Sequence, residues 1–249
     1  MSRASRGFRL AGKIVKGLFY TVIFSVIALL LWRVFSSGDP KSIEGLTVNE
    51  SLVSAYEREG DELVLFRQIL NKTTYGKDNY GYFTVTDCVF IPEANQIQLI
   101  LRYNNATLRA LAEDYHLEEA PDREKDLYDL TLVLATDLTP DVESDNAGND
   151  PASVAFTRLS PVSVSADKKN LYNYRRFVFD LNEAGLSLSE LTGEGGLLLA
   201  AYADVYYVED INYDEPAYGT LCVYDYLQPK NKASLTGADR RALRDAREG

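Results

Sequence analysis

The chain has 249 residues, with 26 basic against 37 acidic, one histidine and two cysteines. Its 25% charged and 46% hydrophobic composition is that of a folded chain and excludes global disorder. All six charges in residues 1–33 are basic, which leaves 20 basic against 37 acidic residues in 34–249, a net of −17 whose long-range field argues against nucleic-acid binding. With one histidine and neither a CxxC nor a Cys/His cluster, a structural zinc site has no ligand set.

Residues 17–32 read GLFYTVIFSVIALLLW, without a charge. Counting Ile14, Val15, Val34 and Phe35, the apolar stretch 14–35 has about the ~20 residues needed to cross hydrocarbon. Lys16 and Arg33 near its ends are long enough to snorkel, and Tyr20 and Trp32 suit the interfaces. Five basic residues precede the apolar core, whereas only Arg33 and Lys41 follow it closely. The positive-inside rule then predicts a cytoplasmic tail (1–13), a single transmembrane helix (14–35) and an extracytoplasmic remainder held at the cell membrane. A cleaved signal peptide is the competing reading, with Val34-Phe35-Ser36 as the cleavage region, but the run exceeds the usual ~7–15-residue core.

Residues 36–60 are expected to be a linker and a short helix. Thr47-Val48-Asn49-Glu50 fits a capping box ahead of Leu52, Ala55 and Tyr56, and Gly60 stops the helix. Residues 61–70 suit a strand or a second short helix. From residue 82 the hydrophobic period becomes two. Phe83, Val85, Val89 and Ile91 are expected on one face, interrupted by Asp87. After the turn Pro92-Glu93-Ala94-Asn95, Ile97, Leu99, Leu101 and Tyr103 are expected inward, with Gln96, Gln98 and Arg102 outward, so the two runs form a β-hairpin. Leu108, Leu111, Ala112 and Tyr115 then fall at helical spacing behind an asparagine cap. Strands are expected at 128–136, 153–165, 171–181, 197–208 and 218–227, separated by acidic loops at 137–151 and 209–216. Residues 61–228 therefore read as an antiparallel β-sandwich with one or two short helices, an immunoglobulin-like one being one form, with a barrel or an α+β sheet as alternatives. Residues 229–249 form a charged tail, expected to be solvated and frayed, although Thr236-Gly-Ala-Asp239 would cap a short helix.

Three groups carry candidate chemistry. Cys88 and Cys222 sit in strands and would bridge if those strands were neighbours. Asp141, Glu143 and Asp145 crowd one acidic loop that would suit Ca²⁺, though an EF-hand is excluded by Asn146 and Ala152 at its glycine and glutamate positions. A solvated loop is the plainer explanation, and no other cofactor is expected. Tyr202, Tyr206, Tyr224 and Tyr226 belong to a tyrosine-rich hairpin that would stack on sugar rings or simply pack as strand formers. No GxSxG or SxxK marks a nucleophile, and no carboxylate pair is singled out for glycoside hydrolysis. The expectation is a non-enzymatic binding or assembly module, its partners the bilayer through 14–35 and another envelope protein or cell-wall polymer. A carbohydrate-binding domain and a cryptic hydrolase are the alternatives.

Overall fold

The structure, a computed structural model, describes residues 3–35, 40–75, 81–114, 116, 118, 128–138, 153–193, 196–207, 219–223 and 232–248. The chain divides into two compact units, residues 1–39 and 40–249.

The first unit is one helix, α1 (Arg3–Phe35). Within it Val15–Trp32 is an 18-residue span, none of it buried, long and apolar enough to cross a membrane. At 1.5 Å per residue it is about 27 Å long, close to the thickness of bilayer hydrocarbon. A signal sequence meets the same description.

The second unit is mostly β. Its strands are β1 (Leu65–Tyr75), β2 (Gly81–Ile91), β3 (Gln96–Asn104), β4 (Tyr128–Leu138), β5 (Ser153–Leu159), β6 (Ser163–Lys169), β7 (Tyr172–Asp180), β8 (Leu198–Tyr207), β9 (Gly219–Cys222) and β10 (Lys232–Ala233). Its helices are α2 (Lys41–Glu44), α3 (Glu50–Glu59), α4 (Asn105–Asp114), α5 (Leu188–Thr192) and α6 (Gly237–Glu248). All strand pairs are antiparallel and form two sheets, β10-β1-β2-β3-β7-β6 and β5-β4-β8-β9. One hydrophobic core draws on both sheets: Phe90, Leu99 and Phe177 of the first meet Leu132, Leu134 and Ala203 of the second, with Leu108 and Leu111 of α4.

The β2–β3 hairpin forms as the alternation predicts, with Phe90 opposite Ile97 and Cys88 opposite Leu99. Its turn ends at Asn95, whose φ of 54° is left-handed, a conformation asparagine tolerates. The Asn95 amide donates to the Leu186 carbonyl at 2.6 Å and its oxygen accepts from Leu188 N–H at 2.6 Å, which fixes the chain after β7 to this turn.

Several expectations need correction. A register shift between Val85 and Asp87 breaks the single face foreseen for β2. Phe83, Val85, Cys88 and Phe90 enter the core between the sheets, whereas Val89 and Ile91 enter a second cluster with Leu46, Leu52, Leu63, Leu235 and Leu243. A bulge adds one residue and so reverses the alternation. Next, Gln96 and Gln98 do not face solvent: both are 0% exposed. Gln98 exchanges hydrogen bonds with the Thr47 backbone at 2.9 and 3.0 Å, while the Gln96 amide donates to Asn49 and, at 2.6 Å, to Ser51. Residues 47–51 of this unit thus lie across the outer face of the six-stranded sheet, and paired polar groups make that burial tolerable. The cap of α3 is accordingly Asn49, which accepts from Leu52 N–H at 3.1 Å, rather than Thr47.

Third, 153–165 is not one strand. It is interrupted around Pro161, and β5 and β6 belong to different sheets, since proline cannot donate to a ladder. Fourth, the C-terminal residues are not a solvated tail. The expected cap forms reciprocally, with Asp239 N–H on Thr236 Oγ1 at 3.1 Å and Thr236 N–H on Asp239 Oδ2 at 2.8 Å. Leu235 and Leu243 of this region are buried against α3, β1 and β2. The full count is ten strands and, in this unit, five helices among the described residues, against the seven or eight strands and one or two helices expected.

Candidate functional site

In the four-stranded sheet, register decides which side chains share the outer face. Leu130, Leu132 and Leu134 of β4 point into the core. Their alternates Thr131, Val133, Ala135 and Asp137 therefore share the other face. On β5 the residues opposite are Arg158 (to Val133), Phe156 (to Ala135) and Val154 (to Asp137). On β8 they are Asp204 (to Thr131), Tyr202 (to Val133) and Ala200 (to Ala135).

This face is unusual in what β5 shows to solvent. Phe156 is 66% exposed and Val154 is 42% exposed, while the smaller Ala155 and Thr157 are the half-buried alternates. A half-buried strand ordinarily turns its large apolar side chains inward. Leu197 and Leu199, at the start of β8 beside a register shift, are exposed as well. Ala135 and Ala200 lie between these two apolar ridges as a floor of small side chains. Exposed apolar groups gathered on one side of a sheet are the usual mark of an interaction surface.

Polar groups border it. Arg158 Nη1 lies 3.5 Å from Asp204 Oδ2 and donates to the Tyr206 hydroxyl at 3.2 Å. Arg158 is half exposed, so the pair contributes little to stability, about 0–1 kcal/mol, and serves to orient the guanidinium. Asp137 Oδ1 and Thr131 Oγ1 are buried with no hydrogen-bond partner among the described residues. Farther along β4, burial raises the Asp129 carboxyl above the ordinary carboxylate range, against the lowering effect of the Leu130 N–H it accepts. A raised value means that the folded form holds its proton more tightly than the unfolded chain. The associated stability is complete below the ordinary carboxylate value and is lost as pH rises through the folded one. Asp129→Asn, which keeps an acceptor for Leu130, is expected to melt above the wild type at pH 7. That gap should close below about pH 4; a lower melting temperature at pH 7 would contradict this assignment.

The residues singled out by sequence do not come together as one site. Tyr206 is only 5% exposed, with its hydroxyl accepting from Arg158; Tyr202 is half-buried on the same face. Tyr224 and Tyr226 lie outside the described residues, as do Asp141, Glu143 and Asp145. No group of three or more His, Cys, Asp or Glu suited to a metal occurs among the described residues. Cys88 is a free thiol, fully buried in the core on β2. The Cys222 backbone is on β9 of the other sheet, opposite Tyr202, and its side chain lies outside the described residues. Burial, with the Asp87 carboxylate behind it, pushes the Cys88 thiol well above its ordinary value. In a Cys222→Ser background, Cys88 is therefore expected to resist a thiol reagent in the native protein and to react at once in denaturant. Modification of the folded protein at the rate of a free thiol would refute this.

Sequence reasoning missed Val154, Phe156 and Arg158. The signal was present as an alternation, but a period-two pattern does not say which face meets the core. The chain matches no protein-family model, no curated protein and no solved structure.

Proposed function

We propose that this chain is a single-pass membrane protein with a cytoplasmic N-terminus, whose extracytoplasmic β domain is a non-enzymatic binding or assembly module of the cell envelope. The apolar face of the four-stranded sheet, with Phe156 exposed at its margin, is the observation that carries the binding half of this reading. The anchor half rests on the unburied span Val15–Trp32, whose uncharged run from Gly17 lies behind five cations that resist transfer across the bilayer.

Strand order supports the immunoglobulin-like form of the sandwich. With β2 taken as strand A, the order β2-β3-β7-β6 reads A-B-E-D and β4-β8-β9 reads C-F-G, with β5 in the place of C′. β1 and β10 then extend the first sheet beyond strand A. Domains of this architecture present sheet faces and strand edges to partners, which is an argument from fold alone.

Two measurements test the reading. In cells expressing the full chain, the protein should resist carbonate extraction, and protease added outside should remove the β domain while sparing the basic tail. Recovery of intact chain from cytosol without detergent would overturn the anchor. Retention of the detergent-solubilised chain by insoluble wall polymer, undisturbed by loss of Phe156, would favour carbohydrate binding through Tyr202 over a protein partner.

A further inference from the structure

We propose that the β5 edge takes up an extended, basic segment of a partner protein as a fifth strand of the four-stranded sheet; this rests on the reading of the domain as a binding module and names its partner chemistry. β5 is terminal in the order β5-β4-β8-β9, so one row of its backbone N–H and C=O groups has no strand beside it among the described residues. Such a row is a template for strand addition.

The other terminal strands are protected. β6 ends in Asp167, Lys168 and Lys169, and Ser42 of α2 is hydrogen-bonded to Asp167. Among the described residues β9 has four and β10 two. β5, by contrast, is seven residues long, holds no proline and no acidic residue, and bears one charge, Arg158. Charge and shortness are the usual means of blunting an edge. β5 is long and carries only the one charge, and it places Val154 and Phe156 where the side chains of an added strand would lie beside them.

Charge selects the partner. Asp137 flanks Val154 on β4 and has a buried oxygen with no hydrogen-bond partner among the described residues. Residues 34–249 are net −17. A strand carrying lysine or arginine is attracted by this field and would bring a donor to Asp137, whereas a second copy of this chain brings a second −17 domain against the first.

The test uses the full chain in neutral phosphatidylcholine nanodiscs. A fluorescent seven-residue peptide alternating lysine and valine is titrated against it, with a glutamate–valine peptide as the control. The lysine peptide should bind saturably and the glutamate peptide should not. Alternate amides of β5 should gain protection from hydrogen exchange on binding. Val154→Thr combined with Phe156→Thr, which leaves charge and strand propensity in place, should weaken binding about tenfold with an unchanged melting temperature. Absence of binding, binding without protection at β5, or equal binding of the two peptides would overturn the proposal. Concentration-dependent dimers of the chain that the double variant abolishes would assign the edge to a second copy and overturn it too. Capture of an envelope partner by wild type and double variant alike would sink the β5 assignment alone and leave the binding-module reading standing.

Discussion

Asp239→Ala is expected to destabilise the β unit by about 3–5 kcal/mol, the cost of breaking a buried charge pair from one side. Asp239 is 0% exposed. Its carboxylate accepts from Leu46 N–H at 3.0 Å, from Thr236 N–H and Oγ1 at 2.8 Å each, and from Arg67 Nη2 at 3.2 Å. A single side chain thereby closes the N-terminal turn of α6, holds the chain that follows α2, and neutralises a guanidinium rising from β1. Alanine removes all four interactions and leaves Arg67 with Asp87 at 3.7 Å as its remaining carboxylate. For a domain of this size the expected loss lowers the melting temperature by roughly 10 °C. Hydrogen exchange should also locate the damage, since the amides of α6 and of Leu46 should lose protection ahead of those of β3. Asp239→Asn retains an acceptor without the charge and should fall between wild type and alanine. A change of less than about 1 kcal/mol in Asp239→Ala would show that α6 is not held through this carboxylate.

The second large effect is expected at Arg176, on β7 and 1% exposed. Its Nη2 and Nε both donate to the Ile43 carbonyl, at 2.7 and 3.1 Å, and Nη1 donates to Gln98 Oε1 at 3.3 Å. The guanidinium fork thus ties α2 down onto the middle of the six-stranded sheet. Arg176→Met keeps most of the volume but strands the Ile43 carbonyl without those donors. The expected cost is about 2–4 kcal/mol, since hydrogen bonds to charged groups contribute about 1.5–3 kcal/mol and an orphaned buried acceptor costs about 1–3. Relief of burying the cation offsets part of it. Limited proteolysis should then cut more readily near residues 41–46, where Ile43 and Leu46 are buried in the wild type. Arg176→Lys should recover only part of the loss, because one ammonium cannot reproduce the planar fork. Equal stability of Arg176→Met and wild type, with no new cleavage, would refute the clamp.

Both predictions turn on contacts that reach across more than a hundred positions, Asp239 to Leu46 and Arg67 and Arg176 to Ile43, and that separation explains what sequence alone conveyed. The apolar span ahead of residue 36, the β2–β3 hairpin, a helix behind an asparagine cap and the capping pattern of Thr236 and Asp239, though not the packing of the helix it starts, were legible in advance. Each depends on neighbours within a few residues, through solvation, side-chain alternation or a cap bonding three positions on. The predominance of antiparallel strands followed from the same local patterns.

What sequence left open was decided between elements. Gln96 and Gln98 look like solvent-facing residues because they alternate with leucine and isoleucine; they are buried because residues 47–51 cover them with matching hydrogen-bond partners. Val154 and Phe156 look like core residues for the same reason, yet they face outward, because pairing with β4 fixes which side of β5 meets the interior. Cys88 and Cys222 occupy strands of different sheets, which no spacing could reveal. Alternation records that a strand has two unlike faces, and local chemistry is enough to write it. Which face is covered is a property of the partner surface, and that surface exists only once distant strands have taken their register.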